Sequence, residues 1–107
     1  MPSLEVCKRM VIELEETKGW GKDPATKIYY AILELAEAGN LWKHRLNKRF
    51  SRKAVIEELI DAVFYIVETA HHIDPEIDLD LLFLEKYQKN LSRERLYPDD
   101  REVKPDE

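Results

Sequence analysis

The chain has 107 residues, 17 basic and 22 acidic, a net charge of -5, 44% hydrophobic residues and a single cysteine. That length supports one domain with one core. The negative balance argues against bulk nucleic-acid binding, and the lone Cys7 excludes an intrachain disulfide. No apolar run approaches the roughly 18 residues that a bilayer span needs. The opening Met-Pro-Ser-Leu-Glu lacks the charged-then-apolar layout of a signal peptide. The expectation is a cytoplasmic protein with no membrane partner.

Ser3 is positioned to cap a first helix running to about Lys18, with Cys7, Met10, Val11 and Leu14 on one stripe. Gly19 is a stop signal, and Asp23-Pro24 is a start signal: an N-cap acid followed by Pro at the first helical position. The second helix presents Ile28, Ile32 and Leu35 as its expected core face, and Gly39-Asn40 marks where it weakens or ends unless Leu41-Trp42 continues the pattern. A connection follows, Lys43 to Lys53. Ser51 then caps a third helix to about His72, with Val55, Leu59, Val63, Ile66 and Ala70 as its buried stripe. Asp74-Pro75 ends it, and Asp78 caps a fourth helix carrying Leu81, Leu82, Leu84, Tyr87 and Leu91. Residues 1–96 therefore read as one all-α, four-helix bundle-like domain, and residues 97–107 as a poorly ordered acidic tail. Helices two and three are apolar over more than one stripe, which leaves a second surface for another subunit.

Two acid pairs interrupt these apolar runs. Glu34-Leu-Ala-Glu37 and Glu58-Leu-Ile-Asp61 each place two carboxylates on one helix face. No Lys or Arg lies between Ile28 and Trp42, and only Lys86 lies between Ala54 and Tyr87. Roughly twenty residues separate the pairs, enough for a helical hairpin to bring them together. Two carboxylates ~5 Å apart repel by roughly 3 kcal/mol at an effective dielectric of ~20. A divalent cation is the partner that best fits four such acids, and all-oxygen ligands favour Mg²⁺, or Mn²⁺, over zinc. Ordinary solvated acids are the bland alternative.

Other residues carry weaker signals. Lys43, Arg45, Lys48, Arg49, Arg52 and Lys53, with His44, form an acid-free stretch suited to a phosphate or to a helix C-terminus. Lys86, Asn90 and Arg93 share one face of the fourth helix. Trp20 and Trp42 flank the second helix and are candidates for stacking on a base, with core or interface packing as the commoner use of Trp. His71 and His72 read as capping or surface residues. Glu68-Thr-Ala-His71 has the spacing of a di-iron ligand pair, but di-iron bundles need that motif on two helices, and it occurs once.

Taken in order, Glu34-x-x-Glu37, Glu58-x-x-Asp61 running into Ala62-Val63-Phe64-Tyr65-Ile66, Ile77-Asp78-Leu79 and Lys86-x-x-Lys89-Asn90-x-x-Arg93 resemble the MazG-like all-α nucleoside triphosphate pyrophosphohydrolases. The resemblance spans about Asp23 to Arg93. It implies a helical domain completed as a homodimer or homotetramer. It also implies Mg²⁺-dependent cleavage of a (deoxy)nucleoside triphosphate to monophosphate and pyrophosphate, a nucleotide-pool house-cleaning reaction. The matching metal ligands are Glu34, Glu37, Glu58 and Asp61, with Glu34 as the water-orienting base. The matching substrate contacts are Lys86, Asn90 and Arg93, with Trp20 and Trp42 beside the base. Leu33, Ala36 and Gly39 depart from the family pattern, which bears on the shape of the substrate pocket. A non-catalytic, nucleotide-sensing or partner-binding helical oligomer is the rival reading.

Overall fold

The computed structural model describes residues 2–93, so the reading of 97–107 as a disordered tail lies outside the described residues. Within them the fold is all-helical, four helices without a strand: α1 (Leu4–Lys18), α2 (Pro24–Lys43), α3 (Arg52–Ile73) and α4 (Leu79–Ser92). No described helix is long and apolar enough to cross a membrane. The four expected caps all form. Ser3, Asp23, Ser51 and Asp78 each accept from the amide three residues on. Gly19, at φ 68°, ends α1. There the Trp20 amide donates to the Glu15 carbonyl and the Gly19 amide to Glu16, a paired bond that needs a left-handed residue.

Gly39-Asn40 does not end α2, which runs on to Lys43. Gly39 sits on the exposed face, where it costs the helix only ~1 kcal/mol, and its neighbours Ala38 and Leu41 on the inner face hold the helix to α3.

Helices α2 and α3 form an antiparallel hairpin, visible in the opposition of Lys27 with Glu68, Tyr30 with Tyr65 and Glu37 with Glu58. Helix α1 lies antiparallel on α3, and α4 touches α1 alone among the helices. The expected stripes are only partly the ones buried. In α2 the inward residues are Lys27, Ala31 and Ala38, whereas Ile28, Ile32 and Leu35 are about half exposed. In α3 they are Ala62, Val67, Glu68 and Thr69, while Leu59 and Ile66 face outward. In α1 Val11 is buried and Met10 is exposed. The physical reason is the seam: small alanines let the two helix backbones approach, and this displaces the large side chains to the flanks.

No residue of α4 is buried. The radius of gyration is 17.0 Å, against about 13 Å for a compact chain of this length, so α4 stands off the hairpin instead of closing a bundle. Its take-off is nonetheless fixed. The Glu5 carboxylate accepts the Leu79 amide at 2.7 Å, and the Asp80 carboxylate accepts the Leu4 and Glu5 amides at 2.9 and 3.3 Å. Each helix start caps the other. Buried Lys8 joins them, pairing with Glu5 and donating to the Ile77 carbonyl, both at 2.8 Å. The Lys8 hydrogen bond, and then the Leu79 amide, hold Glu5 below the usual carboxylate range.

Asp80→Ala leaves two α1 amides without their acceptor. It is expected to cost about 1 kcal/mol, measured as a fall in the thermal midpoint followed by circular dichroism.

Candidate functional site

The α2–α3 hairpin brings three of the four sequence-selected acids together. Glu34, Glu37 and Glu58 each place a carboxylate oxygen within 4.8 Å of the other two. Glu34 and Glu58 are half-buried and Glu37 is exposed. Oε2 of Glu58 is buried and accepts no hydrogen bond, a costly state for a carboxylate oxygen. Asp61, one turn on, lies outside this trio among exposed residues, yet its charge bears on both Glu37 and Glu58.

The close contact with Glu58, its charge, partial burial and Asp61 hold Glu37 above the usual carboxylate range. Glu58 is raised too, first by its contact with Glu34, then by burial and the charges of Glu34 and Asp61. Adjacent oxygens around octahedral Mg²⁺ are about 3 Å apart and opposite ones about 4.2 Å, so a trio spread over as much as 4.8 Å would have to draw together to share one ion. An unpaired buried oxygen within a mutually repelling all-oxygen set fits Mg²⁺ or Mn²⁺.

Beside the trio lies a cavity of about 340 Å³ walled by Trp20, Tyr30 and Tyr65, with Lys22, Asp23 and Lys27 among its polar lining. The Tyr30 and Tyr65 rings pack at 5.6 Å between centroids. Tyr65 links the cavity to the acids: burial first, and then the Glu34 carboxylate, raise its phenol above the ordinary value, with Asp61 adding to the effect.

A second charged group, not foreseen from sequence, lies under this cavity. Lys27 Nζ pairs with Glu68 at 2.8 Å and with Glu15 at 3.5 Å. His72 Nε2 lies 2.9 and 2.8 Å from the two Glu15 oxygens. Glu15 and Glu68 are 1% and 0% exposed and Lys27 5%, so this is a desolvated network. Burial chiefly, together with the neighbouring Glu15, pushes Glu68 up. For Glu15, burial is outweighed by its contacts with Glu68 and His72, which hold it low. Burial would lower Lys27, but the two carboxylates keep it above the ordinary lysine value.

His72 is thus neither a cap nor a surface residue but the partner of a buried acid. Glu68 engages Lys27 at 2.8 Å. The sequence did hold a signal: Lys27 lies one residue before the cation-free span, and it repeats with Ala31, Glu34 and Ala38 along one helix face.

The remaining selected residues lie elsewhere. Trp42 is not in the Trp20 cavity. It packs edge-on against Phe50 at 5.8 Å, with the Arg45 guanidinium 5.0 Å from its ring centre, at the α2–α3 turn. The basic stretch surrounds that turn, about 9 Å beyond Glu37 along α2 at 1.5 Å per residue. Lys86, Asn90 and Arg93 are exposed on and just after α4, which does not contact α2 or α3. The structure therefore does not bring them to the acids of their own chain. Leu33, Ala36 and Gly39 are exposed and do not line the cavity.

No protein-family model, curated protein or solved structure matches the chain.

Repulsion among Glu34, Glu37 and Glu58 opposes folding where these groups are ionised, above the raised values of Glu37 and Glu58. It is relieved as pH falls through those values toward the ordinary carboxylate range near ~4.3. Glu58→Gln is therefore expected to melt higher than wild type at pH 8 without divalent ions. That advantage shrinks as pH falls toward 5. Millimolar Mg²⁺ or Mn²⁺ raises the melting temperature of wild type and does so much less in the variant.

Proposed function

We propose that the protein is a Mg²⁺-dependent pyrophosphohydrolase of a (deoxy)nucleoside triphosphate. The observation that carries this reading is the convergence of Glu34, Glu37 and Glu58, with the unpaired Glu58 Oε2, beside an aromatic cavity of nucleoside size. The MazG-like order of motifs supports the same reading from sequence.

In this proposal Glu34, Glu37, Glu58 and Asp61 hold the cation. Mg²⁺, when bound, supplies charge neutralisation for the triphosphate and a water of lowered pKa. Trp20, Tyr30 and Tyr65 take the base between aromatic faces. Glu34, on the side of the trio nearest Tyr65, orients the attacking water and accepts its proton. The water oxygen bonds to phosphorus as the bond to the pyrophosphate oxygen breaks, and pyrophosphate leaves.

The chain acts as a homodimer or homotetramer. Ile28, Ile32 and Leu35 on α2 and Leu81, Leu82, Phe83, Leu84, Tyr87 and Leu91 on α4 are too much exposed apolar surface for a monomer. Seating α4 of one copy on another would cover them, and would carry Lys86, Asn90 and Arg93 toward a partner's triphosphate site.

Light scattering is expected to give a particle of two or four copies of the 12.7 kDa chain. Pyrophosphate release across a panel of nucleoside triphosphates is expected with Mg²⁺ or Mn²⁺ and not with chelator. Alanine at Glu58 or Asp61 abolishes it with helicity intact, and Glu34→Gln lowers kcat by about 10²–10⁴-fold. Nucleotide binding without pyrophosphate release across the whole panel would favour the non-catalytic sensor instead.

A further inference from the structure

Resting on the reading of the aromatic cavity as a base-binding site, we infer that Lys27 sets its specificity, and that the cavity takes bases presenting a ring carbonyl oxygen, such as uracil or an oxopurine, over bases presenting an amine there. Three aromatic side chains supply flat walls without discriminating among bases. Discrimination falls to the polar lining, in which three side chains donate only. Lys22 and Lys27 are ammonium groups and the Trp20 indole N–H only donates. The Asp23 carboxylate and the Thr26 hydroxyl are the lining's side-chain acceptors, and Asp23 is engaged through Oδ2 alone, which takes the Thr26 amide at 3.3 Å and the Thr26 hydroxyl at 2.7 Å. The Tyr30 and Tyr65 hydroxyls can donate or accept and adapt to either ligand.

Lys27 differs from Lys22 in being immobile. Its side chain is 6% exposed, and its Nζ is tied to Glu68 at 2.8 Å and to Glu15 at 3.5 Å, with Glu15 held in turn by His72. An ammonium has three N–H donors and no acceptor, so after two carboxylates one donor remains. A carbonyl oxygen satisfies that donor. An exocyclic amine sets N–H against N–H and leaves a buried donor unpaired, the situation in which built sites reject a near-isostere. The buried Glu15–Lys27–Glu68–His72 group thus has a use beyond packing: it fixes a cation at the inner wall of the cavity.

The test is equilibrium binding of uridine, cytidine, inosine and adenosine to the full chain in the presence of chelator, followed by titration calorimetry and by the Trp20 indole resonance. Nucleosides lack phosphate, so the outcome does not depend on the acidic trio. Uridine is expected to bind at least about tenfold tighter than cytidine, and inosine than adenosine. The 2-pyrimidinone riboside, which lacks the 4-oxygen, is expected to lose the advantage of uridine. In the double variant Lys27→Met with Glu68→Gln, which removes one charge of each sign, the preference is expected to fall within threefold. Equal or inverted preference in wild type, the same affinity for the pyrimidinone riboside, or no binding of any nucleoside would each overturn the inference. Should the double variant not fold, the ligand series decides alone. Pyrophosphate release showing no preference between UTP and CTP would count against Lys27 while leaving the metal site standing. Selective nucleoside binding without pyrophosphate release would remove the enzymatic reading and support this one.

Discussion

The antiparallel seam between α2 and α3 is the constraint on which the rest depends. Ala31, Ala38 and Ala62 are buried in it, and their small side chains let the helices approach closely. That approach places Lys27 opposite Glu68, Tyr30 opposite Tyr65, and Glu37 opposite Glu58. One register therefore sets the buried ion pairs, the aromatic wall and the acidic trio in succession along the hairpin. A slip of one helical turn would separate all three at once.

Charge is handled in opposite ways at the two ends of this seam. At one end Glu15 and Glu68 are desolvated, with Lys27 paired to both and His72 beside Glu15, while Oε1 of Glu68 is buried without a hydrogen-bond partner. Removing one partner of such a network leaves an uncompensated buried charge and is strongly destabilising. At the other end Glu34, Glu37 and Glu58 have no basic side chain among them, and repulsion raises Glu37 and Glu58. The first group holds a lysine between its acids, and the second holds acids alone. Tyr65, between them, feels both.

The exposed apolar surface follows from the same seam. Because α2 and α3 meet through small residues, Ile28, Ile32, Leu35, Leu59 and Ile66 are turned outward. Helix α4 adds a further apolar row, yet it is held in place by the reciprocal caps of Glu5 and Asp80 and not by packing. A helix anchored at its start and otherwise uncovered accounts for the departure from a closed four-helix bundle.

Sequence alone determined the helices, because their caps are local: Ser3, Asp23, Ser51 and Asp78 act within three residues, and Gly19 within its own turn. It also determined the two acid pairs, and its hairpin-length gap allowed Glu34, Glu37 and Glu58 to meet. Which stripe is buried was decided only by the tertiary structure, because α2 and α3 are apolar on several sides and periodicity cannot rank them. Pairing of Lys27, Glu15, Glu68 and His72 was likewise decided there, across three helices, as was the position of Asp61 at the edge of the trio. The same holds for the separation of Lys86, Asn90 and Arg93 from the acids. They share one helix face in the sequence, but where that face points is set by the Glu5–Leu79 and Asp80–Leu4 bonds, contacts between residues more than seventy positions apart.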